Sequence, residues 1–265
     1  MKRLYSFNLL LAFVLLIVAS GCQKEYTDPG LESRSANSFS SDVANKWLTL
    51  EGDMCWKTAG FTPPVVARAY AYTSLSLYEA ILPGMPENRS LIAQLDQAPA
   101  MPKVQQGVEY YWPASANAAV AEMMRQMFKT AVGVKLNRID SLEMALKQEY
   151  EGQADAEVLN RSIAYGKSVA EAIYQWSKTD GGDEGYLKNF PASYAPPMGD
   201  GMWVQTGKNT AMQPYWGNNR PFRKEVITQA AMPEPLVFSV EPNSEFYKEA
   251  LETYNAVKNA TPEQV

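Results

Sequence analysis

The stretch Thr62–Gly84, TPPVVARAYAYTSLSLYEAILPG, is of helix length and is poor in charge, since Arg68 and Glu79 are its only charged residues. It opens with an N-cap threonine followed by Pro63 at the first helical position, and it closes on Pro-Gly. Its other positions are apolar, small or hydroxylic on every side, which is typical of a helix that is buried all round. The pattern predicts a central helix, Pro63–Leu82. Its arginine, tyrosines and hydroxyl groups make it too polar for a membrane span.

Other segments repeat apolar residues with helical spacing or carry helix-start signals. They predict helices at about Val43–Thr58, Asn88–Gln97, Ser115–Val132, Val134–Gln153, Ala156–Lys178 and Ser244–Asn259. The first should bury Trp47, Leu48, Met54 and Cys55. The short polar turn Glu151–Asp155 predicts that the two helices it joins form an antiparallel hairpin. The only strand-like stretch is Leu236–Val240.

The segment Gly185–Pro242 has no periodic element through most of its length and contains eight prolines and five Trp or Phe residues. So long an irregular segment in a compact domain is usually functional, unless its elements have been wrongly assigned. The predicted fold class is all-α, a helical bundle with a long Pro/Trp-rich irregular segment. Aromatic and arginine side chains suit a recognition surface, although loop packing over helices explains them equally well. The residues that could line a pocket edge are Trp203, Tyr215, Trp216 and Arg220.

Charged side chains are scattered and form no pattern that suits catalysis. Asp180, Asp183 and Glu184 surround two glycines but lack EF-hand spacing, so we expect a solvated turn. The carboxylates on predicted helix faces form no convincing acid/base pair. They are Glu122, Glu143, Glu149 and Glu151. We expect the basic residues Lys208, Arg223 and Lys224 to lie in a solvated loop, although they could steer an oxyanion.

Residues 1–21 have the pattern of a signal peptide, with a basic start, an apolar core and a lipobox-like end, Ala19-Ser20-Gly21-Cys22. The pattern predicts cleavage before Cys22, lipidation of that cysteine, and a flexible tether over residues 22–41. The alternative is a plain signal peptide. The residues after Cys22 favour the outer membrane of a Gram-negative cell envelope, in an undetermined leaflet. The helical domain would then span residues 42–265.

The chain contains no histidine and two cysteines, so Cys55 has no partner for an internal disulfide once Cys22 is lipidated. Its predicted role is a buried small hydrophobe. A zinc or iron site built on His and Cys, and a Ser-His-Asp site, are both excluded within this chain. The net charge of −5 and the lack of a basic block argue against nucleic acid as a partner.

Two segments resemble a known family. Residues 63–80, PPVVARAYAYTSLSLYEA, resemble the early buried helix of vanadium-dependent haloperoxidase-like proteins, in the type 2 phosphatidic acid phosphatase superfamily. Residues 201–222, GMWVQTGKNTAMQPYWGNNRPF, resemble the Trp- and Pro-rich loop that follows the paired helices in that family. The resemblance implies a helical bundle that binds vanadate or phosphate, with lysine and arginine holding the oxyanion and histidines carrying out the chemistry.

The family patterns that carry this chemistry are Lys-x6-Arg-Pro, Pro-Ser-Gly-His and Ser-Arg-x5-His, and none is present here. Gln213 stands seven residues before Arg220, where the pattern has lysine. We therefore assign no oxyanion-clamp role to Arg220 and no catalytic, cofactor or metal-binding residue to this chain. The resemblance implies vanadate as a cofactor only in a longer protein that supplies the missing motifs. The same holds for the substrates it implies, which are either a phosphate ester or halide and peroxide.

The last residues, Thr261–Val265, have the pattern of a capping box at the start of a helix. We expect the chain to be the N-terminal, inactive scaffold part of such an enzyme. Open alternatives are a complete chain that has lost catalysis, and a non-catalytic helical surface lipoprotein that binds a glycan or protein partner.

Overall fold

A computed structural model describes residues 33–131 and 134–264, so the predicted signal peptide, Cys22 and most of the tether lie outside the described residues. In this part of the chain every regular element is helical and there is no strand, which confirms the all-α class and shows Leu236–Val240 to be irregular. The seven α-helices are α1 Asp42–Lys57, α2 Pro63–Ile81, α3 Trp112–Met127, α4 Val134–Tyr150, α5 Ala156–Ser177, α6 Glu225–Gln229 and α7 Glu245–Lys258.

Helix α3 is the centre of the bundle. All of its side chains are buried except those of Glu122, Arg125 and Gln126. Helices α5 and α2 make the most extensive contacts with it, and α4 and α1 complete the enclosure. Its many alanines allow these neighbours to approach closely, while larger side chains such as Trp47 and Phe128 fill the wider spaces.

Helices α3 and α5 approach each other closely at Gly166. A Cβ atom there would overlap the backbone carbonyl oxygen of Ser115. The Ser115 hydroxyl donates to the Ser162 carbonyl at 2.8 Å. The prediction that Ser115 caps a helix is therefore wrong. The helix begins three residues earlier at Trp112, with Pro113 in its first turn, and Ser115 is buried against α5.

The predicted hairpin between α4 and α5 keeps its short turn, but its two helices do not pack extensively on each other. Among the described residues, α4 packs on α3 and α1, whereas α5 packs on α3 and α2. A short turn joins the two helices, but both turn their apolar stripes to α3. Ala145 of α4 is exposed. Leu48 of α1 is exposed too, so the prediction that Leu48 is buried is wrong.

The helix ends follow the predictions in part. The hydroxyl of Ser244 accepts from the backbone N–H of Tyr247, so Ser244 caps α7 as predicted. Thr62 is the N-cap residue of α2, but its hydroxyl bonds to other side chains. The predicted helix at 88–97 is only a 3-10 turn, Ile92–Gln94. Within the described part, no helix combines the length and apolar character that crossing a membrane needs.

Candidate functional site

A buried carboxylate, Asp180, lies just beyond the end of α5. Its Oδ2 accepts from the Nε of Arg68 at 2.7 Å and from the Tyr72 hydroxyl at 2.8 Å. Its Oδ1 accepts from the backbone N–H of Gly182 at 2.7 Å. Only 6% of Asp180 is exposed. The expectation of a solvated turn is therefore wrong for this residue, and we call Arg68, Tyr72, Asp180 and Arg220 the polar centre.

Helix α2 supplies two members of the polar centre because Arg68 and Tyr72 are four residues apart and share one face. The Arg68 guanidinium lies over the Tyr72 ring at 4.9 Å. It also donates to the carbonyl of Ser177 at 2.7 Å, so it satisfies a carbonyl at the C-terminal end of α5. One arginine thus joins α2, the end of α5 and the loop after it.

Arg220 joins the Pro/Trp-rich segment to the same place. Its backbone N–H donates to the Asp180 carbonyl at 2.8 Å, and its guanidinium lies 4.4 Å from the centre of the Trp176 ring. The guanidinium also donates to the carbonyls of Asp96 and Trp176, each at 3.0 Å. Phe222 then packs on Tyr72 and Trp176. We call residues 220–222 the strap, because they return the segment to the bundle.

The other three predicted pocket residues occupy different surroundings. Trp216 covers Gly185, whose Cβ would lie 2.9 Å from the indole ring. Tyr215 meets Tyr194 edge-on with the ring centres 5.6 Å apart. Trp203 is half exposed on the outer part of the segment. Tyr215, Trp216 and Arg220 therefore all have packing partners, and pocket lining by the four residues stays a prediction.

A second connection lies inside the segment at Gln213. We call it and the backbone hydrogen bond between Arg220 and Asp180 the two ties. Its backbone N–H donates to the Asn189 carbonyl at 2.7 Å, and the Thr62 hydroxyl reaches its Oε1 at 2.9 Å. Asn189 in turn donates to the carbonyl of Gly60 at 2.9 Å. Gln213 stands where the family pattern has lysine, and here it is buried and hydrogen-bonded to the protein.

Neither vanadate nor phosphate fits the polar centre. The cleft beside Arg68 has a volume of about 10 Å³, which is room for a single water molecule. The Arg68 guanidinium already donates to Asp180, to Ser177 and towards the Met127 sulfur. The Asp180 carboxylate would repel an oxyanion placed there. In the part of the chain that the structure describes, no three His, Cys, Asp or Glu residues are grouped to hold a metal ion.

Another buried carboxyl group, that of Glu51 in α1, is not among the candidates from the sequence. Glu51 is fully buried, and within the described part neither carboxyl oxygen has a hydrogen-bond partner. Burial raises the pKa of Glu51 to about 7, while the nearby Thr73 hydroxyl opposes part of that rise. Its spacing from Trp47 and Cys55 places it on the apolar stripe of α1, and that register could have revealed it.

Cys55 lies one helical turn after Glu51 and is a free, buried thiol, as predicted. Burial, together with the neighbouring Glu51 carboxylate, raises the pKa of Cys55 to about 12. The thiol is therefore protonated at neutral pH, and this position does not suit nucleophilic chemistry.

The scattered charges mostly form ion pairs. Arg125 pairs with Glu122, Asp140 and Glu143, and Lys46 pairs with Glu149 at 3.4 Å, whereas Glu151 is exposed. In the predicted basic patch, Lys224 pairs with Asp96 at 2.9 Å, Arg223 pairs with Glu225 at 3.7 Å, and Lys208 is exposed. These contacts fit structural and solvated roles.

Comparison with known proteins gives a match at the level of fold. No protein-family model matches the chain, and no curated protein matches it either. Among solved structures, the chain is similar to the crystal structure described as that of the first bacterial vanadium-dependent iodoperoxidase, with a TM-score of 0.65 and 23% identity. The match covers 88% of this chain and 53% of the other. The chain therefore shares that fold and spans about half the length of that protein.

Proposed function

We propose that this chain is the N-terminal scaffold part of a vanadium haloperoxidase-like or acid-phosphatase-like enzyme. The observation that carries the proposal is the fold match, which takes in most of this chain but about half of the bacterial iodoperoxidase. The two segments that resemble the family are residues 63–80 in the buried helix α2 and residues 201–222 in the Pro/Trp-rich segment, and the polar centre joins them.

The role we assign to the chain is structural. The five-helix bundle α1–α5 forms a wall, and the strap fixes the Pro/Trp-rich segment against it at residues 220–222. Since the polar centre does not fit an oxyanion, we assign no catalytic step to its residues. In this proposal, the histidines and the oxyanion-binding lysine and arginine belong to sequence outside the 265 residues.

The test is to sequence the gene past codon 265, and then to assay the 265-residue chain and the longer gene product. We expect the 265-residue chain to oxidise no iodide or bromide with peroxide and vanadate, and to hydrolyse no p-nitrophenyl phosphate. We expect a longer product, with the three histidine and lysine motifs, to do one of the two. Turnover by the purified 265-residue chain would contradict the scaffold role.

The exposed aromatic residues favour a second candidate, a non-catalytic helical surface lipoprotein that binds a glycan or another partner. Trp203 and Tyr215 are half exposed on the irregular segment, as is common at recognition surfaces. Titration with a panel of soluble glycans should then quench tryptophan fluorescence in the parent chain and not in Trp203→Ala. A stop codon directly after codon 265 would favour this candidate.

We also propose that lipid on Cys22 anchors the protein in the bacterial envelope. The pattern before Cys22 supports this, because a small-residue site ends at a cysteine. Cells grown with radiolabelled palmitate should label the parent protein and fail to label Cys22→Ser. Cys55→Ser is the matched control and should be labelled normally. Equal labelling of the parent and Cys22→Ser would favour a plain signal peptide.

A further inference from the structure

The C-terminal part of the chain, residues 225–264, carries apolar side chains that the other described residues leave uncovered. No residue of α7 is buried, although this helix has a distinct apolar stripe. In the stripe, Leu251 is 43% exposed and Tyr254 is 60% exposed. Further exposed apolar residues lie in the same part of the chain. They are Val226, Ile227, Met232, Val237, Val240 and Val257.

Contacts of its own hold this part in place. Phe246 of α7 meets Phe238 edge-on with ring centres 5.2 Å apart. Phe238 in turn closes on Gly201, where a Cβ atom would overlap its ring. Phe246 therefore faces the Pro/Trp-rich segment, whereas Tyr247, Leu251 and Tyr254 lie on another side of α7. An apolar stripe of this kind, on a helix with a capped start, marks an interaction surface.

The fold comparison bears on what would cover it. Residues 225–264 outnumber the residues that the match to the bacterial iodoperoxidase leaves out, so at least part of them belongs to the shared fold. Nearly half of the iodoperoxidase chain lies outside the match. That protein therefore has further residues with no counterpart in the described part of this chain.

We infer that the apolar stripe of α7 is the docking surface for the complementary half of this fold, a continuation of the same polypeptide beyond Val265. The inference rests on the proposed function. It goes further by naming the surface that joins the two halves, with Leu251 and Tyr254 at its centre. The acidic side chains Glu245, Glu249 and Glu252 lie on the other side of the helix and stay in solvent.

The test compares amide hydrogen exchange of α7 in the 265-residue chain and in the extended gene product. We expect rapid exchange in the short chain, and exchange at least ~100-fold slower in the extended product, because docking would protect the helix. Unprotected α7 in the extended product would overturn the inference. So would a stop codon after codon 265, or a dimer of the short chain that Leu251→Lys dissociates.

A pair of charge-matched variants sharpens the test. Leu251→Lys should lower the Tm of the extended product by several degrees and leave that of the short chain unchanged, because α7 is already exposed there. Thr253→Lys, on the opposite side of α7, should change neither. Equal effects of the two variants in the extended product would contradict docking through the stripe.

The same experiment separates this inference from the proposed function. An extended product with a protected α7 but no haloperoxidase or phosphatase turnover would uphold the docking surface and remove the proposed function. An active extended product whose α7 exchanges as fast as in the short chain would uphold the proposed function and remove the docking surface.

Discussion

Glu51 places a titratable group among apolar side chains of the core, which makes stability depend on pH. Its pKa is about 7 in the folded protein, against an ordinary value of 4.5. Between these values the folded state keeps a proton that the unfolded state has lost, so stability falls as pH rises through this window. The loss levels off above pH 7 and amounts to about 3 kcal/mol.

We expect Glu51→Gln to remove this pH dependence, because the amide stays neutral like the protonated acid. Urea unfolding at several values between pH 4.5 and 8 should show a smaller decline for the variant and a more stable variant at pH 8. Glu149→Gln, at an exposed ion pair, is the control and should keep the parent slope. Parallel profiles for Glu51→Gln and the parent would rule out Glu51 as the source.

The polar centre gives a second prediction at the scale of single residues. Asp180→Asn should destabilise the protein by about 3–5 kcal/mol, because it leaves the buried Arg68 without its counter-charge. Glu149→Gln breaks the exposed pair with Lys46 and should cost less than about 1 kcal/mol. Chemical unfolding measures both. A cost below about 1 kcal/mol for Asp180→Asn would mean that water screens the pair.

At the scale of elements, the contact between α3 and α5 depends on the absence of a side chain at Gly166. Gly166→Ala should destabilise the protein by about 1–3 kcal/mol, because the methyl group overlaps the Ser115 carbonyl. Gly152→Ala is the matched control, since nothing lies within 4 Å of a Cβ there, and it should stay within about 0.5 kcal/mol of the parent. Thermal unfolding of both variants checks the prediction. Equal stability of Gly166→Ala and Gly152→Ala would mean that α3 and α5 can separate slightly without loss of stability.

Helical periodicity predicted α2 and α5 to within about one residue, because their apolar stripes are long and their ends carry start or stop signals. It misplaced the start of α3, where the Trp112-Pro113 signal competed with a serine that bonds to another helix. It also could not show which helices pair, because α4 and α5 are adjacent in the chain and yet both pack on α3.

The polar centre was harder to predict for a related reason. The local context of Asp180, followed by two glycines, is typical of a solvated turn, and its partner Arg68 lies 112 residues away in the chain. The sequence resemblance did identify the two segments that meet there. It could not show that Gln213 and Arg220 form bonds within the protein, because those bonds depend on Asn189, Thr62 and Asp96 from distant parts of the chain.

At the scale of the whole molecule, the bundle and the C-terminal part should be separable. A chain that ends at Glu225 keeps the strap and should have a Tm within about 2 °C of the parent, because no residue of α7 is buried. A chain that ends at Asn219 loses the Arg220 and Phe222 contacts, and its Tm should fall by at least about 5 °C. Calorimetry of the parent and of the two shortened chains measures these Tm values. Similar losses in both shortened chains would show that residues 226–264 stabilise the bundle.

The two ties at Asp180–Arg220 and Asn189–Gln213 also set how freely the chain between them can vary in length. They close two nested loops whose ends meet in backbone hydrogen bonds, and Gly207 has no neighbouring atom within 4 Å of a Cβ position. Loop-closure entropy grows only with the logarithm of loop length, so doubling the inner loop costs about 0.6 kcal/mol. The tip around Gly207-Lys208 is therefore where evolution could lengthen this protein, or an engineer insert a reporter domain, at little cost to the bundle.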